Sequence, residues 1–229
     1  GLDERGLWGG VAGMGRAGRN TSAGTAGNDA TNSFKYDVFE GLADNQINGQ
    51  YVYRFGGTND ADNSGVLQYV SIRHGGYVIT GNKELNGLSL CALGNGTTID
   101  HVECYAIADD GFEFFGGTVN TKYLVSAFND DDCFDTDQGY RGKNQFWFAI
   151  QENGKRDNGG EWNGEPSGIA VSNAPYANFQ VYNATWIGGG NAPTTATNSN
   201  NGLFIREYSA PRVYNSVLTD FNNNGGTIG

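Results

Sequence analysis

The sequence has few positive charges for its length. Its 229 residues include 14 Lys and Arg against 25 Asp and Glu, which gives a formal net charge of -11. Such a chain repels a phosphate backbone, so the composition argues against general nucleic-acid binding. Cations and neutral glycans are the partners that this charge favours.

Cysteines and long apolar runs are also scarce. The three cysteines, Cys91, Cys104 and Cys133, lack CxxC spacing, so neither a disulfide framework nor a zinc ribbon is indicated. No apolar run approaches the roughly 20 residues that span a bilayer, and we expect no direct membrane insertion. The 37 glycines are typical of a linker, but 13% aromatic residues predict one folded domain over residues 1–229.

A repeat of 22 residues organises the middle of the chain. The stretch IDHVECYAIADDGFEFFGG (99–117), shifted by 22 positions, lies on TKYLVSAFNDDDCFDTDQG (121–139). The shift aligns Phe112 with Phe134, and it carries the same spacing of paired aspartates. A regular period of this kind is typical of a solenoid.

Each repeat unit contains two short strands of alternating character, separated by Gly, Asn or Asp. NGLSL (86–90) and NGLFI (201–205) match the start of the second strand, DGFEF. No helical periodicity of useful length is present. The residues predicted to face inward are Val70, Val102, Leu124, Ile72, Cys104 and Ser126 in the first strand, and Leu88, Phe112, Phe134, Leu90, Phe114 and Thr136 in the second.

These patterns predict an all-β fold, a right-handed parallel β-helix with loop excursions at about 16–40 and 152–168. A β-propeller is the main alternative, but its blades need about 40–50 residues and four antiparallel strands. The chain starts at Gly1 and ends in an Asn/Gly run, so we expect a segment of a longer protein or of an assembly.

The segments RGLWGG, YVSIRHGG, DDGFEFFGG and DQGYRGK resemble those of secreted bacterial β-helix modules of larger cell-surface chains or lipoproteins. The resemblance spans roughly residues 5–150. It implies a pectin-lyase-like solenoid that is exported, extracellular or at the cell surface, and it implies little about biochemistry.

Acidic residues are concentrated in the second strands and the turns before them. In the 22-residue register Glu113 lies beside Asp135 and Asp110 beside Asp132, about 4.8 Å apart at the backbone. Like charges so placed repel unless a cation lies between them or they extend into water. The oxygen-only donor set predicts a Ca²⁺ site, with solvated turn aspartates as the alternative. The predicted ligands are Asp110, Glu113, Asp132, Asp135 and Asp137.

An enzyme is the second hypothesis, because Asp110-Gly111 and Asp131-Asp132-Cys133 are similar to motifs on adjacent coils of polygalacturonase-like β-helix enzymes. The resemblance implies hydrolysis by Asp110, Asp131 and Asp132, although the family's downstream Gly-His-Gly and Arg-Ile-Lys segments have no counterpart. A lyase would instead use Arg141 or Lys143 as its base.

Exposed aromatic side chains would favour glycan binding, because sugar rings stack on them. Trp147 lies in the alternating stretch QFWFAI, and Trp162 lies in a stretch rich in Gly and Asn that reads as a loop. With Arg141 beside them, these residues form the predicted glycan contact.

The sequence therefore predicts a structural or adhesive β-helical module outside the cell, stabilised by Ca²⁺ and contacting a polysaccharide or cell-surface glycan. A polysaccharide hydrolase or lyase is the alternative. Unpaired strand edges at the ends of a solenoid also predict association end to end, including filaments.

Overall fold

The structure is a computed structural model that describes residues 1–20, 36–80, 83–165, 174–190, 200–222 and 225–228. All regular elements in these residues are strands, and no helix there has the length and apolar character to cross a membrane. The strands are β1 (Val11–Met14), β2 (Asp37–Val38), β3 (Gln46–Ile47), β4 (Gln50–Tyr51), β5 (Arg54–Phe55), β6 (Val66–Arg73), β7 (Val78–Thr80), β8 (Lys83–Glu84), β9 (Leu88–Cys91), β10 (Thr98–Tyr105), β11 (Phe112–Phe115), β12 (Asn120–Ala127), β13 (Phe134–Asp137), β14 (Lys143–Gln145), β15 (Phe148–Ile150), β16 (Gly160–Asn163), β17 (Gln180–Tyr182), β18 (Thr185–Ile187), β19 (Phe204–Arg206), β20 (Arg212–Tyr214), β21 (Val217–Thr219) and β22 (Thr227–Ile228).

Two large parallel sheets form the body of the molecule. The acidic sheet, named for the residues on its outer surface, has the order β1-β9-β11-β13-β16-β19-β22. The second sheet contains β6, β10, β12, β14, β15, β17, β18, β20 and β21. Each coil contributes first to the second sheet and then to the acidic sheet, and its strands pair with those of the next coil. This topology confirms the predicted parallel β-helix.

The strand register confirms the predicted 22-residue offset. Val102 pairs with Leu124, Phe112 with Phe134, and Glu113 with Asp135. The inward sets also stack as expected, since Leu88 pairs with Phe112 and Ile72 with Cys104. Alternation along each strand therefore places apolar side chains inside and acidic ones outside.

One corner of the second sheet recurs at the same position in successive coils. Tyr69, His101, Tyr123 and Phe146 all have positive φ there, between 50° and 59°. Bulky residues rarely adopt this conformation, and it redirects the strand without a glycine. The corner also places four aromatic rings in one column on the outside of the molecule.

Aromatic rings also fill the interior. Phe134 is fully buried, and its ring stacks on Phe112 at 5.3 Å, on Trp147 at 4.3 Å and on Trp186 at 5.5 Å between centroids. Parallel strands place equivalent side chains directly above one another, so the column follows from the repeat. Cys104 and Cys133 are buried free thiols in this core, and Cys91 is a buried free thiol in a second cluster with Phe39, Phe55 and Phe115.

The predicted excursions are only partly right. Of 16–40, residues 21–35 lie outside the described residues, and β2 pairs with β5 in an antiparallel ladder, so the excursion continues to Phe55. In 152–168 the loop interpretation is wrong for β16, which pairs with β13 and β19 inside the acidic sheet. Residues 166–168 lie outside the described part.

Candidate functional site

The turn that precedes each strand of the acidic sheet carries a row of Asp and Asn side chains. Asp110, Asp132, Asn158 and Asn201 occupy equivalent positions on consecutive coils. The backbone N–H of Asp132 donates to Oδ1 of Asp110 at 3.0 Å, that of Asn158 donates to Oδ1 of Asp132, and that of Asn201 donates to Oδ1 of Asn158 at 3.2 Å. In this turn ladder, Asp110, Asp132 and Asn158 therefore each hold the backbone of the next coil.

A second row of acids lies on the outer surface of the acidic sheet. Glu113, Asp135 and Glu161 are neighbours in register on β11, β13 and β16. Glu161 has a cation of its own, because it accepts a hydrogen bond from Arg206. Glu113 accepts a hydrogen bond from the amide of Asn86 and is buried. The centre of the row, Glu113 and Asp135, has no cation bonded to it among the described residues.

The two rows bring carboxylate oxygens together in three groups, and within each group the oxygens lie within 4.8 Å of one another. The groups are Asp109, Asp110 and Asp131; Asp110, Glu113 and Asp135; and Asp131, Asp132 and Asp157. We call them together the acidic cluster. This separation suits several oxygens around one hard cation, which Ca²⁺ accepts in flexible geometry.

Two buried oxygens beside the central group have no hydrogen-bond partner among the described residues. They are Oδ1 of Asp135 and Oδ1 of Asn86. A buried acceptor without a donor costs free energy unless something satisfies it. Carboxylate and amide oxygens are both ligands of Ca²⁺, so the donor set fits that ion.

The excursion covers one side of the acidic cluster. A pocket of about 390 Å³ lies between it and the acidic sheet, lined among others by Asp37, Glu40, Lys83, Glu113 and Asp137. Lys83 in the lining pairs with Glu40, and buried Arg19 outside the lining pairs with Asp37 at 2.7 Å. The cover removes water from the acids without neutralising Glu113 or Asp135 directly.

Burial and mutual repulsion raise the pKa of these acids. Burial, followed by the charge of Asp131, raises the pKa of Asp109 to about 8. Burial, followed by Asp157, raises the pKa of Asp131 to about 7. The pKa of Asp137 also rises to about 7 through burial, although the Gln138 N–H and Arg19 oppose the rise. The pKa values of Asp110, Glu113, Asp132 and Asp135 lie well above the ordinary range, first because of burial.

These shifts predict an unusual pH dependence for the metal-free protein. The folded state binds more protons than the unfolded state, because free carboxyl groups titrate near about 4. The free energy of unfolding should therefore fall as pH rises through about 7 to about 8, the pKa values of Asp131, Asp137 and Asp109. Thermal melting in chelator across this range checks it, and a melting temperature that rises over the interval would contradict it.

A family model matches residues 2–228, and it describes a pectate-lyase-like β-helix domain. The chain belongs to the pectate-lyase-like β-helix domain family. No curated protein and no solved structure matches the chain.

In this pectate-lyase-like β-helix domain, the two cations that sequence analysis offered as catalytic bases lie away from the acidic cluster. Arg141 pairs with Asp60 at 2.5 Å and donates to the carbonyls of Gly18 and Gly139. These contacts engage its guanidinium, which lines a depression with Asp60 and Pro175. Lys143 begins β14 in the second sheet. Neither residue is placed to act with the carboxylates.

The glycan contact predicted at Trp147 and Trp162 is wrong. Trp147 is 1% exposed and donates through Nε1 to Oγ1 of Thr121, while Trp162 is fully buried and donates to the carbonyl of Phe134. The stretch around Trp162 is rich in glycine for a packing reason. A Cβ at Gly160 would lie 2.7 Å from Nε1 of Trp162, so the glycine makes room for the indole.

The predicted metal ligands are largely brought together. Asp110, Glu113 and Asp135 share one group, Asp132 lies in a neighbouring group, and Asp137 lines the pocket without joining a group. The sequence did not predict Glu40, Lys83 and Asp157, because their positions depend on the excursion and on a longer coil. Asn86 was not predicted either, although the match between NGLSL and DGFEF indicates its position.

Proposed function

We propose that this β-helix domain is a structural or adhesive module, extracellular or on the cell surface, in which Ca²⁺ at the acidic cluster holds adjacent coils together. The turn ladder carries the proposal. Asp110 and Asp132 are 7% and 5% exposed, and one carboxylate oxygen of each accepts a hydrogen bond from the backbone of the following coil. Carboxylates used in this way support the fold rather than a substrate.

Calcium would act on the part of the acidic cluster that the protein leaves unsatisfied. The ion would be held by Asp110, Glu113 and Asp135, with Oδ1 of Asn86 at its edge. These residues come from β11, β13 and the turns before β9 and β11, so one ion would connect three successive coils. Ion binding would also remove the repulsion that raises the pKa values of the cluster.

The calcium proposal predicts a change in thermal stability. A ligand that binds only the folded state raises the melting temperature by mass action, so millimolar Ca²⁺ should raise it and a chelator should lower it. Glu113→Gln should reduce the shift, since it removes one charged ligand. Mg²⁺ at equal concentration is the control, because it demands tighter octahedral geometry. Identical melting curves in chelator and calcium would reject the calcium site.

A polysaccharide hydrolase remains the second candidate, and one observation favours it. The pKa of Asp131 is raised to about 7, which suits proton transfer near neutral pH, and its oxygen lies within 4.8 Å of those of Asp109 and Asp110. This separation is shorter than the about 6.5–9.5 Å of an inverting pair and nearer the about 5 Å of a retaining pair.

Product release separates the two candidates. The protein is incubated with acidic and neutral polysaccharides, and reducing ends and unsaturated products are measured. The structural proposal expects neither product above a no-protein control. Release that disappears in Asp131→Asn would instead establish the enzyme.

We also propose that the open strand edges associate end to end with further β structure, from the same polypeptide or from a second copy. Among the described strands, β6 pairs only with β10, and β20, β21 and β22 each have one neighbour. Exposed Val66, Val217 and Ile228 lie on these edges. Light scattering checks the second-copy form, in which mass increases with concentration.

A further inference from the structure

The outer surface of the second sheet carries cations on β12, β14 and β20, next to Asp100 and Glu103 of β10. Lys122 on β12 and Lys143 on β14 are exposed, and neither has an ion pair among the described residues. Arg212 continues the row on β20, in register with Gln180 and Lys143. In a chain with a net charge of -11, unpaired cations gathered on one sheet are unexpected.

Amides and aromatic rings accompany these cations. A depression of about 430 Å³ is lined by Asn120, Lys122, Lys143, Asn144, Gln145 and Tyr182. Tyr182 stacks on Tyr214 of the next coil at 4.8 Å between centroids, and its hydroxyl donates to Gln180. We call this surface the basic–aromatic face.

The external aromatic column borders the same face. The rings of Tyr69, His101, Tyr123 and Phe146 stack at 4.6, 4.4 and 5.0 Å between centroids. Tyr69 is 78% exposed and Tyr123 is 42% exposed, so the column presents an apolar edge parallel to the solenoid axis. Rows of cations, amides and rings thus recur at the strand spacing, about 4.8 Å.

We propose that the basic–aromatic face binds an anionic polysaccharide laid along the solenoid axis. Lys122 and Lys143 would pair with its carboxylate or sulfate groups, Asn120 and Gln145 would bond its hydroxyls, and the rings would contact its apolar surfaces. The inference rests on the adhesive function proposed above, and it names the surface and the ligand class.

Charge complementarity selects this ligand over other polymers. The acids on the acidic sheet repel a polyanion. Such a polymer would therefore bind on the face that carries the lysines. A nucleic acid presents few hydroxyl groups, so it would leave the amides of this face without partners. A uronate glycan carries carboxylates and many hydroxyls, which matches two lysines among amides.

Binding is tested by calorimetry with polygalacturonate in chelator, so that calcium cannot bridge the ligand to the acidic cluster. The double variant Lys122→Ala/Lys143→Ala should weaken binding about tenfold, because it removes two exposed charge contacts. Arg16→Ala/Lys155→Ala removes the same charge elsewhere and should leave the affinity unchanged. Methyl-esterified polygalacturonate should bind more weakly than the free acid, and Tyr182→Ala more weakly than the control Tyr77→Ala.

Several results would overturn the inference. They are an unchanged affinity in Lys122→Ala/Lys143→Ala, equally tight binding of polyglutamate, or no binding in chelator. Melting temperatures of all variants confirm that each one is folded. Binding only with calcium would place the glycan at the acidic cluster, which overturns this inference and leaves the adhesive function standing. A missing calcium-dependent melting shift affects only the calcium site.

Discussion

Phe134→Ala is expected to lower the free energy of unfolding by about 3–5 kcal/mol, as large-to-small changes of buried aromatic residues do. Phe134 is completely buried, and its ring stacks on those of Phe112, Trp147 and Trp186. Truncation leaves a cavity between coils, which the rigid strand spacing cannot close. Urea unfolding monitored by tryptophan fluorescence measures the loss.

Phe146→Ala is the matched control for this change. Phe146 is 37% exposed in the external column and contacts Tyr123 on one side. Its replacement should cost less than that of Phe134, because the ring is partly exposed and makes one aromatic pair, worth about 0.5–1.5 kcal/mol beyond the area it buries. Equal losses in the two variants would contradict the interior position of Phe134.

The second prediction concerns the turn ladder. Asp132→Ala should destabilise the metal-free protein by about 1–3 kcal/mol relative to Asp132→Asn, because alanine leaves the buried N–H of Asn158 without an acceptor. Asparagine keeps Oδ1 and removes a buried charge, as Asn158 and Asn201 do on the next coils. Asp132→Asn should therefore be at least as stable as the parent protein in chelator.

The same two variants are compared with calcium present. If a cation normally balances this charge, Asp132→Asn should show a smaller calcium-induced rise in melting temperature than the parent protein. Equal stability of the alanine and asparagine variants in chelator would mean that the hydrogen bond to Asn158 contributes nothing. The asparagine variant keeps the hydrogen bond and removes the charge, whereas the alanine variant removes both. The difference between their stabilities therefore measures the hydrogen bond alone.

Much of the fold could be predicted because residues 98–139 form coils without long insertions. There the 22-residue shift fixes the register, and alternation fixes which side chains face inward. Later coils contain longer connections, so a fixed shift no longer aligns β13 with β16. The glycines around Trp162 then read as loop, although Gly160 is small because the indole occupies the space beside it.

The sequence predicted which acidic residues would lie close together, but not which hydrogen bonds they would make. Register alone showed that Glu113 would lie beside Asp135. It could not show that Asp110 and Asp132 bond to the next coil, since that depends on the turn geometry. The cover that Glu40 and Lys83 provide depends on an antiparallel excursion whose position no repeat encodes.

The turn ladder and the strand pairs run along the solenoid axis, so a pull on the two ends loads the coils in series. Every interface between coils then carries the full force, and the weakest one separates first. β10 and β12 have eight residues each, whereas β17, β18, β20 and β21 have three each. Tension should therefore separate the coils around 180–219 before the coils of β10 and β12, whose mutual interface is longer.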